Sequence, residues 1–170
     1  MDKERFIELV SQEQEPLRRF LQILCKGDSF TADDLAQEAL LKAYLSFEKF
    51  EGRSRFSTWL FRIAYNCWYD WIKKSGRGEE IATEKDTQEY TNIPDPSFLP
   101  DKNFRHQELY LALEKLSWGE RAVTLLFYME DLSTTQIAEV MRIPTGTVLS
   151  RLYQARKILR KELEDVLDGK

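Results

Sequence analysis

From Thr145 onward the chain carries an apolar stripe that only one regular structure satisfies. Val148, Leu152, Ala155, Leu159 and Leu163 recur at alternating steps of four and three, which is one face of an α-helix. Just upstream, Ser133-Thr-Thr-Gln136 has the pattern of a capping box and opens a shorter helix with Ile137, Ala138 and Met141 inward. Pro144 suits the first turn of the long helix, where its missing N–H is not needed. Two helices so closely joined read as a helix-turn-helix. Thr147, Ser150, Arg151 and Gln154 turn away from the stripe, with side chains that suit hydrogen bonding to base edges. Arg142 to Lys161 holds six Lys or Arg (Arg142, Arg151, Arg156, Lys157, Arg160 and Lys161) and no acid. These features point to a DNA-reading helix.

A net charge of −4 argues against a nucleic-acid partner until its distribution is examined. Residues 1–78 sum to +1, residues 79–101 to −6 and residues 102–170 to +1. Two near-neutral blocks, each with a basic patch, therefore flank an acidic segment. With 42% hydrophobic and 32% charged residues, the composition is that of a soluble folded chain. The charged start MDKERF and the absence of a long apolar run predict neither a secretion signal nor a membrane span. Cys25 and Cys67 lie far apart on apolar helix faces and read as buried free thiols in a reducing compartment, so a cytosolic location is expected.

Almost every periodic segment reads as helix, which makes the fold class all-α. Phe6, Leu9 and Val10, then Leu17, Phe20, Leu21 and Leu24, predict two short amphipathic helices ending at Gly27. Thr31 is placed as the N-cap of the next helix, whose buried stripe is Ala36, Leu40, Ala43 and Phe47. After a loop over 50–55, a helix from about Ser57 to Ser75 carries Phe56, Leu60, Ile63 or Ala64, Cys67 and Trp71 inward. Trp59, Phe61, Tyr65, Trp68 and Tyr69 surround it, and Arg53, Arg55, Arg62, Lys73, Lys74 and Arg77 face a single acid, Asp70. Rings interleaved with cations suit unstacked nucleotides, and equally suit a core helix packed on two sides with a solvated basic end. In the second block, Leu109, Ala112, Leu113 and Leu116 give one stripe. Ser117-Trp-Gly-Glu120 is another capping box, opening a helix with Val123, Leu126 and Phe127 inward.

Between these blocks periodicity vanishes. The segment is polar and acidic, with Pro94, Pro96 and Pro100 against any helix, and reads as a linker between two small domains. The expected divisions are 1–76, 77–103 and 104–170. No Gly-rich phosphate loop, HExxH, CxxC or GxSxG occurs, so no motif proposes a catalytic residue. His106 has no partner at ligand spacing and reads as a surface residue; no metal, other cofactor or small-molecule substrate is expected.

Taken together, three passages resemble the extracytoplasmic-function (ECF) group of bacterial sigma factors, initiation subunits of RNA polymerase. Asp33-Asp-Leu-Ala-Gln-Glu-Ala-Leu-Leu-Lys-Ala-Tyr44 is similar to the region 2 helix that docks on the polymerase clamp. Residues 50–66, FEGRSRFSTWLFRIAYN, resemble the segment that melts and reads the −10 element. Residues 137–160 resemble region 4, which reads the −35 element. The order and spacing of these passages match from about residue 5 to residue 165.

The resemblance implies contacts, residue by residue. Asp34, Gln37, Glu38 and Leu41 would meet core polymerase, a β and β′ assembly. Phe50, Arg53, Arg55, Asn66, Lys73 and Lys74 would meet the −10 element, with Phe50 and Asn66 helping to form a pocket for a flipped base. An amide offers donor and acceptor to a Watson–Crick edge. Trp59 reads equally as core. Thr147, Ser150, Arg151, Gln154 and Arg156 would meet the −35 element. The linker's charge suits a basic channel on polymerase, and exchanging its acids for Ser or Gln tests whether that charge acts in initiation and promoter escape. Two tethered domains also suit an anti-sigma protein that clamps them together; where that partner is membrane-bound, it would hold a cytoplasmic sigma factor at the inner membrane. Arg142 and Leu149 depart from the family pattern, standing where Gly and Lys are usual. The rival reading is a dimeric helix-turn-helix regulator that binds spaced half-sites by itself.

Overall fold

The computed structural model describes residues 3–75 and 104–167. The acidic segment expected as a linker lies outside the described residues, as does the His106 side chain. All regular elements among the described residues are helices.

Helix α1, Lys3–Leu24, is one helix where the sequence predicts two. Pro16 lies inside it, yet the apolar face stays in phase across the proline: Phe6 and Val10 before it and Leu17, Phe20, Leu21 and Leu24 after it are all buried. Contact with the core on both sides outweighs the one backbone hydrogen bond that proline removes. The helix stops where expected, with Lys26 and Gly27 at positive φ and the Gly27 N–H donating to the Gln22 carbonyl at 2.9 Å. Helix α2, Ser29–Ser46, is capped by Asp28 instead of Thr31. Thr31 sits inside the first turn and donates its N–H and Oγ1–H to the Asp28 carboxylate at 3.1 and 2.6 Å.

The inner face of α2 is small, with Ala32, Leu35, Ala36, Ala39 and Ala43 buried. Leu40 and Phe47, both expected in that stripe, are half-buried at its edge. After a 3₁₀ turn, Phe47–Lys49, the chain bends through Gly52 at φ +73°, a conformation costly for any residue with a Cβ. Helix α3, Phe56–Lys74, then packs across α1 and α2. Its Phe61 and Trp68 rings are deeply buried, at 0% and 1% exposed, whereas Trp71, expected in the core stripe, is only half-buried.

The second block is four helices: α4 Phe104–Glu114, α5 Trp118–Thr124, α6 Thr134–Met141 and α7 Thr145–Leu167. Both expected capping boxes form. Ser117 and Glu120 exchange side chain-to-backbone hydrogen bonds at 3.3 and 3.0 Å, and Ser133 and Gln136 do so at 3.1 and 2.8 Å. Helix α5 ends in a π-turn, Leu125–Met129, that periodicity did not foretell.

Arg121 is fully buried and donates from Nε to the Leu113 carbonyl at 3.1 Å and from Nη2 to the Leu116 carbonyl at 2.8 Å. It thereby supplies a donor to the Leu116 carbonyl and a second one to the Leu113 carbonyl, which also accepts from the Leu116 N–H at 3.1 Å, and fixes the corner between α4 and α5. On α7 the foretold stripe is buried at Val148, Leu152 and Ala155 and half-buried at Leu159 and Leu163.

The two blocks also pack on each other, chiefly through α3 against α6 and through Trp118, whose ring centroid lies 5.5 Å from that of Trp68. Both cysteines are buried and neither forms a disulfide, and burial pushes the Cys67 thiol up. Among the described residues no helix is long and apolar enough to cross a membrane.

Candidate nucleic-acid interface

Three surfaces carry the residues singled out by sequence. On the outer face of α2, Asp34, Gln37, Glu38 and Leu41 are all exposed, opposite the alanine-rich inner face. Leu41 is 59% exposed and Leu45, one turn on, 71% exposed. They form an uncovered apolar strip edged by the Glu38–Lys42 ion pair at 3.1 Å. Leu45 was missed in the sequence reading, although the four-residue step from Leu41 is itself the signal.

The second surface begins at the loop before α3. Phe50 stacks on Trp59 with centroids 5.1 Å apart and planes 11° from parallel. Together with Lys49, Gly52 and Arg53 they line a cavity of about 170 Å³. Trp59 is therefore part of this surface as well as of the aromatic cluster with Phe47 and Phe56. Arg53 is exposed and pairs with Glu51 at 2.9 Å, and the exposed Arg55 donates to Ser57 Oγ at 3.4 Å. Asn66 does not share this cavity. About two turns beyond Trp59 along α3, it lines a cleft of about 650 Å³ with Tyr69 and Lys73, facing Trp118, Arg142 and Arg151 of the second block. Lys73 and Lys74 are exposed at the end of α3, and Lys73 Nζ stands 4.7 Å from the Tyr69 ring centre.

The third surface is α7. Thr147, Ser150, Arg151 and Gln154 follow the i, i+3, i+4, i+7 pattern and share one face, with Ser150 and Gln154 exposed and Thr147 and Arg151 half-buried. Arg156 departs from this group. It lies on the opposite flank, donates from Nε to the Tyr128 hydroxyl at 2.6 Å and covers the Phe127 and Tyr128 rings. Leu149 and Tyr153 are exposed on that same far flank, so Leu149 lies off the face shared by Thr147, Ser150, Arg151 and Gln154. The Arg142 departure resolves as a left-handed C-cap: at φ 58°, ψ 46° it holds the glycine-like conformation that the turn demands, and its N–H donates to the Ala138 carbonyl. Among the described residues no group of three or more His, Cys, Asp or Glu is placed to hold a metal ion.

Fold and surfaces together define a two-block helical DNA-binding protein in which a helix-turn-helix follows an aromatic, basic helix. Residues 9–78 match the family model for Sigma-70 region 2, and residues 106–159 that for Sigma-70, region 4. The chain is 35% identical to the ECF RNA polymerase sigma factor SigW of Bacillus subtilis, over 82% of this chain and 79% of that one. It is 32% identical to the ECF RNA polymerase sigma-E factor of Haemophilus influenzae, over 98% of this chain and 91% of the relative. Among solved structures it resembles the sigma factor RpoE from Bartonella quintana, determined in complex with the anti-sigma factor NepR. The TM-score is 0.69 at 27% identity, covering 95% of this chain and 96% of that one. The chain belongs to the ECF RNA polymerase sigma factors. Its function is accordingly promoter recognition for transcription initiation by RNA polymerase.

Proposed function

We propose that this sigma factor divides its work among the three surfaces. The exposed strip of α2, Asp34, Gln37, Glu38 and Leu41 with Leu45 added, docks on core polymerase. Phe50, Arg53, Arg55, Asn66, Lys73 and Lys74 hold the melted −10 strand, rings and amide taking bases while the cations follow phosphates. Thr147, Ser150, Arg151 and Gln154 read the −35 element in the major groove. Arg156, bonded to Tyr128, acts by holding the flank of α7 in place. The chain lends specificity and performs no covalent step of its own. Its domains divide at 1–76 and 104–170, it works in the cytoplasm, and an anti-sigma factor controls it, as one binds the Bartonella relative.

The observation that carries this reading is the pair of reading faces on separate blocks, one on α3 and one on α7. A conventional regulator needs only the second. The two readings separate in a binding assay on promoter-containing fragments with and without core polymerase. The expected result is weak binding by the free chain and footprints over both elements once core enzyme is added. Tight binding alone, as a dimer on spaced half-sites and indifferent to polymerase, would establish the regulator reading instead.

A further inference from the structure

The cleft of about 650 Å³ has two walls of the same make, one from each block. On the α3 wall, Lys73 Nζ stands 4.7 Å from the centre of the half-buried Tyr69 ring, and Asn66 and Asp70 line the same wall. On the wall from the second block, the Arg151 guanidinium stands 5.6 Å from the centre of the Trp118 ring, and Arg142 adds another cation. Each wall thus pairs a ring with a cation. Three cations against the one carboxylate of Asp70 leave the cleft with an excess of positive charge. Among the described residues neither Lys73 nor Arg142 has an ion-pair partner. Trp118 is only 5% exposed and the Arg142 backbone is fixed as the C-cap of α6, so much of this wall is formed in advance. The volume lies within the roughly 300–1,000 Å³ usual for small-molecule sites.

We propose that this cleft is a binding site for a ribonucleoside polyphosphate. The phosphates fall to Lys73, Arg142 and Arg151, whose charged N–H donors match anionic oxygens. The base packs against Tyr69, since stacking on an aromatic ring is open to any base, and the Asn66 amide offers both donor and acceptor to its edge. Asp70 can only accept hydrogen bonds, which suits ribose hydroxyls and repels a bare phosphate chain. An inorganic polyanion would leave the ring and the amide unused, and an uncharged nucleoside would leave the cations unused. The site rests on the cleft alone and does not depend on Asn66, Lys73 and Arg151 reading promoter DNA. Because its walls come from both blocks, bound nucleotide favours their packed arrangement and ties the availability of the chain to nucleotide supply.

The test is isothermal titration calorimetry on the full chain without polymerase, at about 0.15 M salt and with EDTA to remove divalent cations. The probes are ATP, GTP, inorganic tripolyphosphate and adenosine. The expected result is one-to-one binding of at least one of the two nucleotides with a Kd below about 1 mM. Tripolyphosphate should bind about tenfold or more weakly than that nucleotide, and adenosine should not saturate. Lys73→Gln and Arg142→Gly should each weaken nucleotide binding about tenfold, the loss of one charged donor. Glycine accepts the left-handed backbone at 142, and circular dichroism checks that both variants keep their helices. Lys157→Gln, exposed on α7 and outside the cleft, loses the same charge and should bind as wild type does. Binding of neither nucleotide, or unchanged affinity in Lys73→Gln and Arg142→Gly, would overturn the site. An equal loss in Lys157→Gln would reduce it to general attraction between charges. Tripolyphosphate or adenosine binding as tightly as the nucleotides would overturn the class of ligand.

Discussion

Arg142 shows how one residue can carry a local conflict between sequence and backbone. The turn into the reading helix needs a left-handed residue, and this chain supplies an arginine at φ 58°. Relieving that strain with Arg142→Gly is expected to raise unfolding stability by about 0.5–1 kcal/mol in urea denaturation, the penalty a Cβ pays there less glycine's added chain entropy. A loss of stability would mean that the arginine's charge or stem makes up for its backbone. Arg121 is the opposite case, a charge whose burial is justified by the two carbonyls it satisfies. Arg121→Met is expected to cost roughly 2–3 kcal/mol by the same measurement, since it removes the side-chain donor of the buried Leu116 carbonyl and one of the two donors to Leu113. Periodicity cannot reveal such a residue, because the stretch Arg121-Ala-Val-Thr-Leu-Leu-Phe127 reads as an ordinary apolar helix with one charged end. The left-handed turn, by contrast, was legible from the family resemblance, which places glycine where Arg142 stands.

At the scale of elements, helix α2 presents two unlike faces. Its alanines let α3 approach, while Leu41 and Leu45 remain uncovered beside Glu38. Because neither leucine is buried, Leu45→Glu is expected to leave the thermal midpoint within about a degree while reducing retention on immobilised core polymerase about tenfold or more. Unchanged retention would remove this strip from the polymerase contact. The elements most legible in sequence were those whose ends carry chemistry, as with the two capping boxes of α5 and α6. Helix α1 was harder to read: a proline usually ends a helix, and the in-phase apolar residues that carry α1 through Pro16 act by tertiary contact. Asp28 took the cap from Thr31 because a carboxylate three residues ahead accepts both of the threonine's donors. Phe50 and Asn66, paired by family resemblance, line separate cavities because Phe50 lies in the loop before α3, stacked on Trp59, while Asn66 sits about two turns further along that helix.

Across the whole molecule, the meeting of the two blocks was the least legible feature, since it depends on residues remote in sequence such as Trp68 and Trp118. It also has a pH signature. Burial first, then the neighbouring Glu13 carboxylate, pushes Glu130 up from its ordinary 4.5 to about 7, with Arg19 and Arg55 opposing. Glu13 is also raised, chiefly by burial. The packed state therefore binds a proton more tightly than the unfolded chain does. The Glu130 contribution is greatest below pH 4.5 and is lost as pH rises through about 7. Urea midpoints measured from about pH 5 to about pH 8 are expected to fall more steeply in wild type than in Glu130→Gln; parallel profiles would show that Glu130 does not titrate in that window.

The sigma-factor account stands or falls on transcription from defined starts. Run-off transcription on genomic fragments, with core polymerase and this chain, should yield discrete transcripts whose mapped starts share upstream elements at −10 and −35 spacing. The Asn66→Ala and Arg151→Ala variants should each reduce that output roughly tenfold or more, the cost of losing a base-reading contact. Output no greater than from core polymerase alone would contradict the account; full activity in both variants would contradict the assignment of its two reading faces.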